Sequence, residues 1–140
     1  MKFELPYHAE RGFDGLYGLV VTDVSDDVVR GHVPVRDELK QIAGLVHGGV
    51  YASIAESLAS IGTGLAVMRE GKQAMGLSNQ TSFVRPITQG MIFAEAVRKH
   101  RGRTTWIWEV EISDEEGRLC VLTRMTVAVR EIPAASPPAQ

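Results

Sequence analysis

The sequence has few of the features that define several common classes of protein. Its one cysteine, Cys120, allows no intramolecular disulfide, and no cysteine and histidine residues are spaced as in a zinc site. We therefore expect no metal and a reducing compartment, the cytoplasm. The formal net charge of -2 does not favour binding to nucleic acid, which normally needs a basic surface, and we expect none.

Export and membrane insertion are not predicted either. Glu4 and Pro6 interrupt the segment where a signal peptide needs a continuous apolar core. The longest weakly polar run, residues 50–68, contains Glu56, three serines and two glycines, which is typical of a helix buried inside a domain. We expect residues 1–14 to be an N-terminal segment, residues 15–130 one domain, and residues 131–140, rich in proline, alanine and serine, a disordered tail.

Hydrophobic periodicity predicts strands, one long helix and then more strands. Residues 49–68 are apolar on nearly all sides, which predicts a helix packed on more than one face, and Gly71 follows as its stop signal. Trp106, Trp108, Val110 and Ile112 alternate with Glu109 and Glu111, the two-residue period of a half-buried strand. The predicted strands are residues 16–24, 28–35, 74–84, 91–99, 104–113 and 119–130.

These elements favour a particular α+β architecture. The first two strands should form a hairpin, and the last four a meander in which residues 74–84 pair with residues 91–99. A helix of about 20 residues is ~30 Å long and needs a broad sheet to cover it. We therefore predict a curved antiparallel sheet wrapped around one long helix, without internal repeats.

The start of the predicted helix combines groups that can serve chemistry. His47-Gly48-Gly49 precedes the apolar run, and a helix start offers unpaired N–H groups that can hold a carbonyl oxygen or an oxyanion. Glu56 lies two turns further on, and apolar neighbours predict that it is partly desolvated. Its helical face is otherwise small or polar, formed by Gly49, Ala52, Ser53, Ser60 and Thr63.

Each of these features has a structural alternative. Glu56 could belong to a solvated helix face, and His47 could simply cap the helix while the glycines permit a tight turn. A serine in mid-helix, such as Ser60, commonly bonds to the carbonyl four residues earlier. If both ends of the helix segment act on one thioester, a distance of ~12 Å between Gly48 and Glu56 requires that they come from different subunits related by a two-fold axis.

The combined motifs resemble the hotdog-fold acyl-CoA thioesterases. The residues that carry the resemblance are Gln41, His47-Gly48-Gly49, Glu56, the run Leu77-Ser78-Asn79-Gln80-Thr81-Ser82-Phe83-Val84-Arg85-Pro86, Gly90 and Thr104-Thr105-Trp106. The chain is most similar to the 4-hydroxybenzoyl-CoA thioesterases that carry a glutamate on the helix. The resemblance extends over residues 15–129 and implies the hotdog fold.

The resemblance implies a role for each matching residue. Glu56 would be the catalytic carboxylate, acting as nucleophile or general base, with Ser60 nearby and with Gly48 and Gln41 of the partner subunit at the thioester. The residues implied in binding the substrate or its coenzyme A portion are His47, Asn79, Arg85, Arg103 and Thr104. Arg103 departs from the family, which has a small hydroxyl residue there, so nucleotide contacts could differ. The basic cluster of residues 98–103 could steer phosphates or be a solvated turn.

The resemblance thus implies hydrolysis of an aromatic acyl-CoA of the 4-hydroxybenzoyl type, as in the degradation of aromatic compounds. Water is the cosubstrate, coenzyme A belongs to the substrate, and no further cofactor is expected. The expected assembly is a dimer and, by resemblance, a tetramer built as a dimer of dimers. The alternatives are hydrolysis of phenylacetyl-CoA or a dihydroxynaphthoyl-CoA, and a hotdog module that binds acyl-CoA without catalysis.

Overall fold

One curved antiparallel sheet and one long helix form the domain in the computed structural model, which describes residues 12–134. In chain order the elements are α1 (Phe13–Tyr17), β1 (Val20–Val24), β2 (Val28–Pro34), α2 (Gly48–Val67), β3 (Lys72–Phe83), β4 (Met91–Arg101), β5 (Thr105–Ser113) and β6 (Leu119–Glu131). Within the described residues the strands are ordered β1-β2-β4-β5-β6-β3. The predicted α+β fold is confirmed.

The ends of α2 follow from its local sequence. The Gly49 N–H donates to Nδ1 of His47 at 2.8 Å, so His47 is the N-cap. At the other end, a 3₁₀ turn, Met68–Glu70, leads to Gly71, whose φ of 71° lies in the left-handed region that glycine adopts readily. The predicted helix, residues 49–68, is therefore correct to within one residue at each end.

The helix packs very closely on the sheet at its middle. A Cβ placed on Gly62 would lie 2.6 Å from the indole ring of Trp108 and 2.8 Å from Val29, so only glycine fits there. The next residue, Thr63, is fully buried and accepts a hydrogen bond from Nε1 of Trp108 at 2.9 Å. Thr63 lies on the same side of α2 as Glu56, seven residues further on, but Trp108 buries it in the core, which the sequence did not predict. The alternating strand that contains Trp106 and Trp108 is confirmed, because both are buried.

The predicted pairing of the strands is partly wrong. β3 does not pair with β4 in a meander but pairs antiparallel with β6 at the edge of the sheet, whereas β4 lies between β2 and β5. The connection from β3 to β4 is a crossover. The N–H groups of Val84 and Arg85 both donate to the carbonyl of Cys120, and buried Ile87 continues the segment past the start of α2.

Both termini of the domain differ slightly from expectation. Residues 13–17 form a short helix, so the predicted first strand begins too early at Leu16. Glu131 belongs to β6 and is not part of the tail. The rest of the predicted tail, apart from residues 132–134, lies outside the described residues, as does most of the N-terminal segment.

The residues from Gly48 to Glu70 are long and apolar enough, by length and composition, to cross a membrane. Half of the most apolar 18-residue stretch of this segment is buried inside the domain. The packing of α2 on the sheet thus accounts for its composition.

Replacing Gly62 tests the close approach of α2 to Trp108. We expect Gly62→Ala to lower the free energy of unfolding by about 1–3 kcal/mol, because the added methyl group overpacks a rigid core. Urea unfolding measures the effect. Gly64→Ala on the same helix is the matched control, since the nearest atom to its Cβ is 3.9 Å away, and it should stabilise the protein by up to ~1 kcal/mol. Equal effects at the two positions would contradict this packing.

Candidate active site

An open cleft of about 520 Å³ runs along the side of α2 that the sheet does not cover. Its walls are α2 and the first residues of β3. The lining residues are Asp14, Glu56, Ser57, Ser60, Ile61, Gly64, Leu65, Met68, Lys72, Gln73, Ala74 and Ile132. Glu56 and Ser60 therefore share one cleft, whose far end is largely apolar. Leu65 and Met68 contribute to this apolar end.

The Glu56 carboxylate lies against the backbone of β3. A Cβ placed on Gly76 would be 3.1 Å from Oε1 of Glu56, so the missing side chain makes room for the carboxylate. Among residues 12–134, no side-chain donor and no cation contacts this carboxylate. Glu56 is exposed in the single chain, which corrects the prediction that neighbouring residues of its own chain desolvate it.

A second carboxylate in the cleft is held by hydroxyl groups. Asp14 Oδ1 accepts hydrogen bonds from the hydroxyls of Tyr17, at 2.8 Å, and Ser57, at 2.6 Å. Tyr17 is buried, and its burial raises the pKa of the phenol above its ordinary value, so it remains a donor at neutral pH. These contacts fasten α1 to α2 beside Glu56.

The loop before α2 presents the predicted donor group. The backbone N–H of Gln41 donates to the Leu45 carbonyl at 2.8 Å, and the side-chain oxygen of Gln41 accepts from the N–H of Ala43. His47 N–H donates to Leu39 at 2.8 Å, which fixes the entry to the helix. No residue among 12–134 accepts a hydrogen bond from the N–H of Gly48, so this donor is free. The expectation that His47 could act as a cap is confirmed, and its Nε2 remains available.

Asn79 and Ser60 differ in what they contact. Asn79 donates from Nδ2 to the carbonyl of Ala52 at 2.9 Å, and its Oδ1 accepts from Thr81 at 2.7 Å. Ser53 and Thr63 bond back to carbonyls four residues earlier, but Ser60 makes no such bond to a described residue. The hydroxyl of Ser60 is thus available in the cleft.

The predicted coenzyme A residues lie at opposite ends of α2. Arg85 is exposed just after β3, near the start of the helix, because Phe83 packs over Gly48. Arg103 and Thr104 lie in the β4–β5 turn, where Arg103 borders a shallow pocket with Glu70 and Lys72 beyond the helix end. The structure therefore does not bring Arg85 and Arg103 together within one chain.

The basic cluster of residues 98–103 has a partly structural role. The guanidinium carbons of Arg98 and Arg101 lie 5.1 and 4.7 Å from the centre of the Trp106 ring, so both cations stack on the indole. In the part of the chain that the structure describes, no group of three histidine, cysteine or acidic residues could hold a metal ion.

Comparison with known proteins identifies the family. The sequence model of the Thioesterase superfamily, a protein family, matches residues 43–121 of this chain. This range includes all of α2, with Glu56, and strands β3 to β5. The chain belongs to the thioesterase superfamily. It is a thioester hydrolase with the hotdog fold.

Several relatives cover most of this thioesterase. Protein Rv1847 of Mycobacterium tuberculosis is 37% identical over 131 residues, 92% of each chain. Its structure superimposes with a TM-score of 0.83 at 36% identity, covering 87% of this chain and 98% of that one. The proofreading thioesterase EntH of Cronobacter sakazakii is 35% identical over 112 residues, 80% of this chain and 81% of EntH.

Two structures of thioesterase SAV0944 of Staphylococcus aureus, each with one residue changed to alanine, are similar to this chain at 25% sequence identity. The form with a glutamate changed to alanine has a TM-score of 0.84 and covers 86% of this chain and 100% of that one. The form with a glutamine changed to alanine has a TM-score of 0.81, with 84% and 97% covered.

Some site residues of this thioesterase were not expected from the sequence. Gly76 does carry a signal, since a glycine inside a strand marks a bulge or a close backbone approach. The contact of Asp14 and Tyr17 with Ser57 carries no such signal, because it joins α1 to a residue about 40 positions further along the chain.

The burial of Tyr17 predicts how stability depends on pH. Because the folded-state pKa of Tyr17 lies above the value of about 10 in the unfolded chain, its contribution to stability is complete below pH ~10 and is lost as the pH rises further. Urea unfolding between about pH 8 and 11.5 measures this loss. Tyr17→Phe should make the decline shallower. A smaller decline should persist, because burial raises the pKa of Tyr51 to about 12. An unchanged decline in Tyr17→Phe would contradict the assignment.

Proposed function

We propose that Glu56 is the catalytic carboxylate and that the cleft beside it binds the acyl group of a coenzyme A thioester. The observation that carries this proposal is a carboxylate without a side-chain partner among residues 12–134, placed over Gly76 in a largely apolar cleft. The other acid of the cleft, Asp14, is engaged by two hydroxyl donors. Glu56 is therefore the better placed of the two to act on a substrate.

The proposed reaction adds water across the carbon–sulfur bond of the thioester. As a nucleophile, Glu56 attacks the carbonyl carbon and forms a mixed anhydride as the coenzyme A thiolate leaves, and water then hydrolyses the anhydride. As a general base, Glu56 instead takes a proton from the water that attacks. In both routes the free N–H of Gly48, at the positive end of α2, stabilises the developing oxyanion.

The proposed site is shared between two chains. Gly48 and Glu56 are ~12 Å apart along one straight helix, too far for both to contact one carbonyl group. β3 is an edge strand with exposed apolar side chains at Met75 and Leu77, and such an edge can pair with another strand. Pairing with β3 of a second copy around a two-fold axis would set the two α2 helices side by side. Gln41 and Gly48 of one chain would then face Glu56 of the other, and two such dimers form the proposed tetramer.

The relatives support the residues in this proposal. In SAV0944, the glutamine and the glutamate that were changed to alanine are separated by the same number of positions as Gln41 and Glu56. Both residue types thus recur at matching spacing in a protein of the same fold that is named a thioesterase.

For the substrate, we propose an aromatic acyl-CoA of the 4-hydroxybenzoyl type. Ile61, Leu65 and Ala74 give the cleft an apolar wall that suits an aromatic ring. His47 and Arg85 at one end of α2, and Arg103 and Thr104 at the other, are the proposed contacts of coenzyme A, and they would meet across subunits. Phenylacetyl-CoA and dihydroxynaphthoyl-CoA are the alternatives.

Changing Glu56 tests the catalytic role. We expect Glu56→Gln to lower kcat by at least about 100-fold, because the amide can neither attack nor accept a proton as the carboxylate does. Release of free thiol from 4-hydroxybenzoyl-, phenylacetyl-, dihydroxynaphthoyl- and acetyl-CoA measures rate and preference together. Glu116→Gln, in the β5–β6 turn, is the control that should keep full activity. Full activity in Glu56→Gln would exclude Glu56, and a preference for acetyl-CoA would exclude the aromatic substrate.

Mixing two inactive variants tests the shared site. If Glu56 and Gln41 of one site come from different chains, a heterodimer of Glu56→Ala with Gln41→Ala contains one intact site and one doubly altered site. Random pairing of equal amounts, after co-expression, should restore about a quarter of wild-type activity. If each site lies within one chain, every site carries one change and mixing restores nothing.

A further inference from the structure

The side chain of Asn79 joins β3 to the turn of α2 that carries Glu56. Its Nδ2 donates to the carbonyl of Ala52 at 2.9 Å. Ala52 precedes Glu56 by four residues, so in an α-helix the same carbonyl also accepts the N–H of Glu56. We infer that Asn79 is a positioning residue, which holds Glu56 in place for catalysis, and this inference rests on the proposed function.

A chain of hydrogen bonds fixes the orientation of the Asn79 amide. Thr81 donates its hydroxyl proton to Oδ1 of Asn79 at 2.7 Å. The oxygen of Thr81 lies 2.9 Å from the hydroxyl of the fully buried Thr123, and because the single hydroxyl proton of Thr81 is donated to Asn79, Thr123 is the donor in this second bond. Because Oδ1 is the acceptor in this chain, Nδ2 points its donor at α2. This chain of bonds links the buried face of the sheet to the helix turn that carries Glu56.

A bulge in β3 allows this contact. Gly76 pairs with Val127 and Ser78 pairs with Thr126, so Leu77 is an extra residue without its own partner. Side chains alternate along a strand, and one extra residue reverses the alternation. Gly76 faces α2 before the bulge, and Asn79 and Thr81 face it afterwards. Because Leu77 is an extra residue, Gly76 and Asn79 can both face α2, which they could not do in a regular strand. The space for the Glu56 carboxylate and the contact to its helix turn therefore occur together only because of the bulge.

Glu56 needs such support because its own side chain has few restraints. No described side chain donates to its carboxylate, so its position depends on the backbone of α2 and the space above Gly76. A displacement of about 1 Å at a reacting group can lower a rate by about 100-fold. The contacts of Asn79 are to protein groups, so its loss should affect the chemical step rather than binding of coenzyme A.

The test compares Asn79→Ala with Gln80→Ala. Gln80 carries the same amide group on the neighbouring, outward-facing position of β3, and it is exposed. We expect Asn79→Ala to lower the single-turnover rate by about 10-fold with KM changed less than about twofold, and Gln80→Ala to change neither. Asn79→Asp keeps the shape and the acceptor for Thr81 but loses the donor to Ala52, and it should show the same loss of rate if the alanine variant does not fold.

A double variant at Asn79 and Glu56 distinguishes a loss of positioning from general damage to the structure. In a Glu56→Gln background, Asn79→Ala should cause less than about a twofold further loss, because the group that it positions is already absent. An undiminished 10-fold loss there, or a raised KM with unchanged rate in Asn79→Ala alone, would overturn the inference. If Glu56→Gln itself is fully active, the proposed function fails together with this inference. If Glu56→Gln is inactive but Asn79→Ala is not impaired, only the inference fails.

Discussion

The domain depends on the close contact between α2 and the sheet at Gly62. The helix can approach the indole of Trp108 only because position 62 has no side chain, and the buried Thr63 hydroxyl then pairs with the indole N–H. This contact sets both the height and the rotation of α2 above the sheet. One side of the helix is buried as a result. The side of the helix that faces away from the sheet, with Ser60 and Gly64, remains open as one wall of the cleft, and Glu56 lies in the same cleft.

The edge strand β3 forms the second wall of the cleft beside α2. Pairing with β6 over most of its length brings β3 alongside α2, and the bulge at Leu77 divides it into two parts. Before the bulge, Gly76 leaves space for a carboxylate, and after it Asn79 reaches the helix backbone. An interruption in the hydrogen-bond ladder is tolerated at a sheet edge, because the displaced backbone groups can reach solvent or another chain.

Local sequence patterns predicted the elements better than their arrangement. The period of α2, its glycine stop and the alternation around Trp108 are properties of neighbouring residues, and each was correct. The partner of β3 depends on which strands meet across the whole sheet. Residues 85–90 have the composition of a hairpin turn, yet they belong to a crossover. The burial of Thr63 was missed for the same reason, since it depends on Trp108, 45 residues away.

The candidate site, too, was predicted from the sequence only in part. The helix pattern predicted Gly48 and Glu56, and the family resemblance added Ser60. The structure places Glu56 and Ser60 in one cleft and leaves the N–H of Gly48 free among the described residues. Among residues 12–134 of one chain, however, the donor end of α2 lies ~12 Å from Glu56, and Arg85 and Arg103 lie at opposite helix ends. In the proposed dimer, a second α2 helix lies antiparallel beside the first and brings its donor end to Glu56. Each chain then contributes a different half to each of two sites, and the exposed edge of β3 is where such a second chain would join.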